Sequence, residues 1–399
     1  MEKFDYIIGG AGCSGLTLAY LLNNSRLKTK KVLLLDVKKK SRNDRTLCFW
    51  EEGDNIFEKI VFKKWNTLEV KNNSINISYD LKNYAYKMIR GIDFYKFVKE
   101  DISANKNFKF NNEKIISYRR ENNSVLVKTK NKEYKAQYYF NSIPQIIKNV
   151  KFSSYLHTTQ HFIGWFIETK DKVFDPGKAT FMDFTIRQNH DLRFGYILPF
   201  TEREALIEYT MFSRSILSAV EYRKGLLEYI EQNLGIKNYT IKNKEFGKIP
   251  MTNYPFSKIE SKKIINIGIP GGMIKPSCGF GFIKMQNELK KIIDNLENNK
   301  NISNDSIWKR RHNIYNSTFL NVINNNNIEK KKIFVKMFLN NPITEVFKFL
   351  DEKTNFIEEF RFFMSVHKLI FLKAFTIEMF KLFKKVIFKI FSLKTMYLG

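Results

Sequence analysis

The sequence predicts a two-lobed α/β protein: a discontinuous βαβ lobe, an antiparallel-sheet lobe inserted into it, and a helical C-terminal region. Three observations predict it. A strand, Gly-rich turn and helix open the chain. A strand-rich stretch fills residues 160–212. A second strand, Gly-rich loop and helix follow at 264–298. The 399 residues leave room for two lobes and a tail, since a domain takes roughly 100–200 residues.

Phe4 to Ile8 reads as a short buried strand, residues 9–15 as a Gly-rich turn, and Leu16 to Leu22 as an apolar helix. Lys31 to Asp36 reads as a second strand ending in an acid. The unit has the size and order of a Rossmann βαβ. Val125–Thr129 and Tyr134–Phe140 alternate as strands do. Phe162–Ile167, Ala179–Phe184, Phe194–Leu198 and Ala205–Thr210 are strands separated by turn residues, and 219–234 is an amphipathic helix. Ile264–Gly268 is a buried strand, 268–281 a Gly-rich loop and 282–298 a helix, with helices from 300 onward. The expected division is a nucleotide-binding lobe of 1–80, 110–150 and 258–300, a substrate lobe of 80–110 and 150–257, and a helical region of 300–399.

Gly10-Ala11-Gly12-Cys13-Ser14-Gly15 is a GxGxxG between a strand and a helix, and Asp36 stands 21 residues beyond Gly15. Gly10 permits the tight turn, Gly12 lets backbone approach a pyrophosphate, and Gly15 lets helix and strand pack closely. The helix N-terminus supplies N–H donors, and Asp36 is placed to accept hydrogen bonds from a ribose. The fingerprint alone does not separate FAD from NAD. The loop Gly268 to Gly281, with Gly271, Gly272, Met273 and Gly279, is a second ligand loop after a strand. That arrangement favours FAD.

Glu208 is an acid in an apolar strand. Alternation puts Leu206, Glu208 and Thr210 on one face and Ala205, Ile207 and Tyr209 on the other. Facing an apolar cavity, its pKa would rise and it could act as a general acid. On spacing alone, an exposed sheet face explains it better. Asp183 and Glu168 pose the same question. His157 and His161 are four apart but lie in strand-like sequence without a third ligand, so no metal site is expected. There is no GxSxG, no Walker A motif and no nucleic-acid module.

Together these motifs resemble the FAD-dependent lycopene cyclases of the bacterial and plant β-cyclase type. The resemblance rests on Tyr6–Gly15, Arg45–Trp50, Phe140–Pro144, Gln160–Trp165, Phe181–Phe184, Tyr196–Pro199, Leu206–Thr210, Ile249–Thr252 and Gly271–Gly279, in that order and spacing. It implies a redox-neutral, proton-initiated ring closure of an acyclic carotene end, lycopene to γ- or β-carotene. It also implies reduced FAD as cofactor, NAD(P)H as electron source, and Glu208 as the acid–base residue. Trp165, Phe181, Asp183 and Phe184 are the expected substrate contacts. This chain departs from the family at Tyr209, where an acid is frequent, and at Asn141 and Ile143, where Asp and Arg are common. A flavin-dependent isoprenoid reductase or monooxygenase, or a non-catalytic FAD- or carotenoid-binding protein, would share the Gly-rich fingerprint.

Hydrophobic residues make up 43% and charged residues 27% of the chain, which excludes a wholly disordered protein. Cys13, Cys48 and Cys278 form no CxxC, so a reducing cytoplasm is the expected compartment. The net charge of +28 comes with abundant Asn, Ile and Phe. Residues 361–399 hold eight Lys/Arg and one acid, Glu378. Lys381, Lys384, Lys385 and Lys389 fall on one helical face, and Ile377, Phe380, Phe383, Ile387 and Phe391 mainly on another. Such a segment is expected to lie peripherally on a membrane lipid surface, from which a C40 hydrocarbon would be collected.

Overall fold

The computed structural model describes residues 1–144, 155–302, 310–325 and 329–397, without the side chains of 310 and 385–397. The parts of the expected lobes that fall on 145–154 and 303–309 lie outside the described residues, as do the side chains of Lys385, Ile387, Lys389 and Phe391.

The expected α/β architecture is found. Glu2–Gly9 is the central strand of a parallel sheet, flanked by Glu133–Asn141 and Val32–Leu35. Ile264–Asn266 extends it on one side and Phe108–Asn111 on the other, both parallel. Ile7, Ile8 and Val32 to Leu35 are buried, as strands covered on both faces must be. The helix Cys13–Asn23 crosses between the first two strands and packs against Gly91–Ser103 and Phe282–Glu297. Ile115–Glu121 and Ser124–Thr129 add an antiparallel hairpin at one end.

The second sheet has seven strands, in spatial order Tyr239–Thr252, His157–Thr169, Glu204–Ser213, Leu192–Pro199, Lys178–Asp183, Thr67–Lys71 and Asn76–Asp80. One face packs on the helix Ala219–Glu228 through Trp165, Ile207, Tyr209, Tyr222 and Leu226. Ser218 and Glu221 cap that helix reciprocally, and it continues as a wider turn over Tyr229–Asn233. The other face carries Phe181, Phe194, Leu206 and Phe212. It packs on the C-terminal helices through Phe334, Phe338, Val346 and Phe347. Those helices are Arg310–Ile323, Lys330–Asn340, Ile343–Leu350, Phe356–Ser365 and Lys368–Tyr397. A third, small sheet of Thr46–Glu52, Tyr84–Arg90 and Lys63–Trp65 bridges the two large ones.

Sheet membership departs from the expected division around residue 80. Thr67–Lys71 and Asn76–Asp80 join the edge of the second sheet, because Thr67–Lys71 pairs in parallel with Lys178–Asp183. Gly91–Ser103 and Phe108–Asn111 instead belong to the parallel-sheet lobe, where apolar Phe94, Tyr95 and Val98 pack into its core.

Candidate active site

One cavity of about 1200 Å³ runs from the N-terminal Gly-rich turn, past the face of the seven-stranded sheet, to the C-terminal helices. Its first end is backbone. Gly10 has φ +98°, open only to glycine at low cost. A Cβ on Gly15 would lie 1.9 Å from the Gly10 carbonyl, so helix and turn are in direct contact there. A Cβ on Gly12 would meet nothing within 4 Å, because that Cα faces the open cavity. No side chain caps the helix starting at Cys13, nor the one starting at Phe282. The Ala11 N–H donates to Asp36 Oδ2 at 2.7 Å, and Lys40 lies 3.8 Å from the same carboxylate. The acid at the end of the second strand therefore also fixes the turn.

The second loop comes from the far side of the sheet and meets the first. A Cβ on Gly268, φ +64°, would lie 2.4 Å from Ser14 Oγ, and Ser14 Oγ is 2.5 Å from Ser142 Oγ. Gly10, Gly12, Ser14, Asp36, Gly268 and Gly279 line the cavity. Gly15, Gly271, Gly272 and Met273 shape the loops without lining it. Gly271 abuts the Asn266 carbonyl, Gly272 has φ +67°, and buried Met273 accepts from the Gly268 N–H through its sulfur. Lys40 and Arg45, neither of them among the expected cofactor contacts, add cations to this end. The bare Gly12 Cα, the uncapped helix start and the cations fit a dinucleotide with its pyrophosphate at Gly12.

The middle of the cavity holds two carboxyl groups. On the seven-stranded sheet Glu208 pairs with Gly164, and Gly164 pairs on its other side with Glu245. A Cβ on Gly164 would lie 3.1 Å from the Cγ atoms of both glutamates. The missing side chain thus leaves space over which both fold. Thr210 Oγ1 donates to Glu208 Oε2 at 3.2 Å, and Thr46 Oγ1 donates to Glu245 Oε2 at 2.7 Å. The two carboxyls are hydrogen-bonded to each other when one is protonated, and Glu245 Oε1 is buried with no other donor. Loss of hydration, then the charge of Glu245, pushes the Glu208 carboxyl well above the usual range. Burial raises Glu245 too. Such a pair retains one proton where exposed glutamates have none. Tyr196 pairs with Glu208 on the next strand, and its hydroxyl lies 2.6 Å from that of Tyr86. Burial raises both phenols, so they stay neutral donors.

The rest of the wall is apolar. Phe181 lines the cavity with Phe162, Phe194, Phe280 and Phe334. Three expected substrate contacts lie elsewhere. Trp165 sits on the opposite sheet face, among Ile167, Ile207 and Tyr222. Its neighbour Gly164 faces the glutamates, and successive strand residues point to opposite sides. Asp183 also points away, accepting from the Tyr229 hydroxyl at 2.7 Å and pairing with Lys71 at 3.2 Å. A register shift between Thr180 and Asp183 interrupts the alternation there. Phe184 is buried behind the wall, against Phe194 and Phe334.

Glu168 pairs with Lys242 at 2.5 Å, half-exposed at a sheet end. His161 is hydrogen-bonded to the Tyr222 hydroxyl. Four strand residues separate it from His157 by about 13 Å. Among the described residues no three His, Cys, Asp or Glu side chains gather as metal ligands do.

Glu245 was missed because Lys244 and Lys248 flank it, which reads as a solvated strand. Its only signal is alternation, which puts Glu245, Gly247 and Ile249 on one face; in the structure the whole run 245–249 lines the cavity.

The outer end is built by the C-terminal helices. Phe360, Met364 and Leu372 line the cavity while remaining 64%, 44% and 59% exposed. Apolar surface is therefore continuous from the interior to the outside.

Comparison with solved structures agrees with this architecture. A geranylgeranyl bacteriochlorophyll reductase-like protein from Thermoplasma acidophilum superposes with a TM-score of 0.65 at 12% identity, covering 94% of this chain and 98% of its own. A flavoprotein/dehydrogenase from Cytophaga hutchinsonii gives 0.63 at 12% identity, over 95% and 100%. The halogenase PltM, in complex with phloroglucinol and FAD, gives 0.56 at 14% identity, over 88% and 82%. At these identities the likeness is one of fold, that of the flavoproteins. No curated protein matches the sequence. The family model described as lycopene cyclase protein matches residues 5–379.

Proposed function

The chain belongs to the lycopene cyclase protein family, and from that premise we propose that it closes the terminal ring of an acyclic carotene, lycopene to γ- or β-carotene. The observation that carries the reading is the Glu208 carboxyl, buried within an otherwise largely apolar cavity and raised in pKa by burial and by Glu245. A carboxyl that holds its proton above the usual carboxylate range, shielded from water, is what protonation of an unactivated alkene needs.

The chemistry follows in order. Glu208 delivers a proton to the CH carbon of the terminal alkene. The cation forms on the carbon bearing two methyl groups. The next alkene's π pair forms a carbon–carbon bond to that cationic carbon, closing a six-membered ring and moving the cation to a ring carbon. Loss of the adjacent ring proton leaves the β double bond. Substrate and product have the same mass. The faces of Phe181 and the other aromatic wall residues meet the cation without capturing it, and the neutral tyrosines are poor traps for it. The apolar wall excludes the water that would quench it as an alcohol.

FAD fits the Gly12 end, where Gly10, Gly12, Ser14, Asp36, Gly268, Lys40 and Arg45 would hold it. Bound in its reduced form, with NAD(P)H as electron source, it would supply negative charge that stabilises the developing cation. A cavity of this size exceeds the roughly 300–1,000 Å³ of ordinary small-molecule sites. It therefore has room for a dinucleotide and a hydrocarbon end together.

Peripheral attachment to a membrane belongs to the same reading, since a C40 hydrocarbon partitions into bilayers. Its support is the exposed apolar rim, Phe360, Leu369, Leu372, Phe380 and Phe383, interleaved with exposed Lys368, Lys373, Lys381 and Lys384. Among the described residues no helix is long and apolar enough to cross a membrane.

Expression in lycopene-accumulating cells tests the function. The expected product is cyclic and of unchanged mass. A gain of two hydrogens would indicate an isoprenoid reductase, which the fold equally accommodates. A gain of oxygen would indicate a monooxygenase, and no change a carrier.

A further inference from the structure

We propose that Glu245 is a second catalytic carboxyl, the base that takes the ring proton, working with Glu208 as a dyad that shares one proton. The inference rests on the ring-closure reading above. Ring closure needs an acid at the start and a base at the end, within one enclosed space and one cation lifetime. A single carboxylate can serve both only if the proton-accepting position lies where the donor stood. Here two carboxyls stand side by side on the same cavity face, brought together across a bare glycine.

The geometry distinguishes their roles. Glu208 accepts a hydrogen bond from Thr210 at 3.2 Å and, protonated, donates to Glu245. Glu245 takes a shorter one, from Thr46 at 2.7 Å, and a donated hydrogen bond favours the ionised form. Glu245 Oε1 is buried and has no donor besides the Glu208 carboxyl. Once Glu208 has given its proton to the alkene, the Glu245 carboxylate is left short of a donor, which is costly at such a depth, and it offers the lone pair a base requires. The resting dyad is therefore Glu208 protonated and Glu245 ionised.

The proton balance closes. Glu208 gives its proton to the terminal alkene and becomes carboxylate. The ring C–H pair becomes the new double bond as its proton passes to Glu245. Transfer of one proton from Glu245 back to Glu208 restores the starting state. No oxidant or reductant is consumed.

The other titratable groups facing the pair are Cys48 on Thr46–Glu52, Tyr86 on Tyr84–Arg90 and Tyr196 on Leu192–Pro199. Burial raises all three, so they remain neutral while the carboxyls titrate.

The test compares Glu208→Gln, Glu245→Gln and Thr46→Val in full-length, FAD-loaded protein, assayed on lycopene in liposomes across pH. Wild type is expected to show a bell-shaped profile, losing its base at low pH and its acid at high pH. Glu245→Gln should retain flavin absorbance, lose on the order of 10²–10⁴ in rate and lose the acid limb. Its alkaline limb should move to lower pH, because Glu208 no longer feels a neighbouring charge. Thr46→Val keeps both carboxyls and should move the acid limb to higher pH. This variant carries the test if Glu245→Gln does not fold. Wild-type rate and profile in Glu245→Gln, or an unmoved acid limb in Thr46→Val, would overturn the dyad while leaving ring closure intact. Absence of cyclic product from wild type would instead overturn the ring-closure reading, and the dyad with it.

Discussion

Gly12 and Gly15 stand three residues apart in one turn, yet their substitutions should fail in different ways. Gly12 has φ −77° and ψ −171°, a conformation any residue adopts, and its Cβ would meet nothing within 4 Å. Gly12→Val should therefore leave the fold within about 0.5 kcal/mol of wild type. The added branches fill the space a pyrophosphate would occupy against the backbone, so FAD affinity should fall at least 100-fold, about 2.7 kcal/mol or more. Gly15→Ala is the converse. Its Cβ would sit 1.9 Å from the Gly10 carbonyl oxygen, and that oxygen belongs to backbone that cannot swing aside. Relief needs the helix to move by more than an ångström, at or beyond the upper end of the ~1–3 kcal/mol seen for overpacking. FAD titration by flavin fluorescence and thermal melting of the FAD-free protein measure the two effects separately. For a chain of this length roughly 1–2 °C of Tm corresponds to 1 kcal/mol. A Gly12→Val protein that binds FAD as wild type does would refute the placement of the pyrophosphate, and one that melts well below wild type would refute the open space beside Gly12. An unshifted Tm in Gly15→Ala would refute the close helix–turn contact.

Gly164→Ala should keep flavin binding but slow ring closure about 10-fold or more, since a 3.1 Å approach displaces both carboxyls and misplacement within an active site is expensive; product yield beside flavin absorbance measures it. Burial raises the Glu208 carboxyl, so its stabilising neutral form is fully present below the unfolded value and is lost as pH rises toward the folded one. The Tm of Glu208→Gln should accordingly gain on wild type as pH is raised from about 4.5, and parallel Tm curves would contradict a raised pKa. Replacing Phe380 and Phe383, which are 69% and 63% exposed, with Ser should weaken binding to anionic liposomes without lowering Tm; unchanged co-sedimentation would count against attachment through this helix. Truncation after about residue 360 is a poorer test, because it removes Phe362, Val366 and Ala374, which are buried.

What the sequence made legible was local. The turn from Gly10 to Gly15 is readable because each glycine answers a contact within a few residues, and the apolar runs around it have the length of their elements. The strand faces at Leu206, Glu208 and Thr210 are likewise set by alternation alone. The seven-stranded sheet's register was not readable, since pairing partners are distant in sequence. Only that register shows that Gly164 stands between Glu208 and Glu245, and hence that Trp165 must point away. Asp183 and Phe184 were misplaced for a related reason: the register shift beside them breaks the alternation that locates a side chain. The strands Thr67–Lys71 and Asn76–Asp80, the last two of the seven-stranded sheet, are short and half polar, so nothing local says which sheet they join.

The row Glu208–Gly164–Glu245 explains why three unfavourable choices coincide. Glycine inside a strand costs roughly 0.5–1 kcal/mol relative to alanine. Each buried carboxyl gives up hydration. Two carboxyls side by side cannot both ionise without repulsion. Scattered over a sheet, these would be three separate defects. Gathered in one row, each is the condition for the next. The glycine lets the carboxyls meet, their meeting keeps a proton on one of them, and burial keeps that proton from water. Around the pair the wall is largely aromatic, with Phe181, Phe194, Phe212 and Phe334 among its lining. A sequence that concentrates its violations of local preference in one row is one in which that row does the chemistry, and the chemistry a half-protonated pair performs in an apolar cage is proton delivery and return.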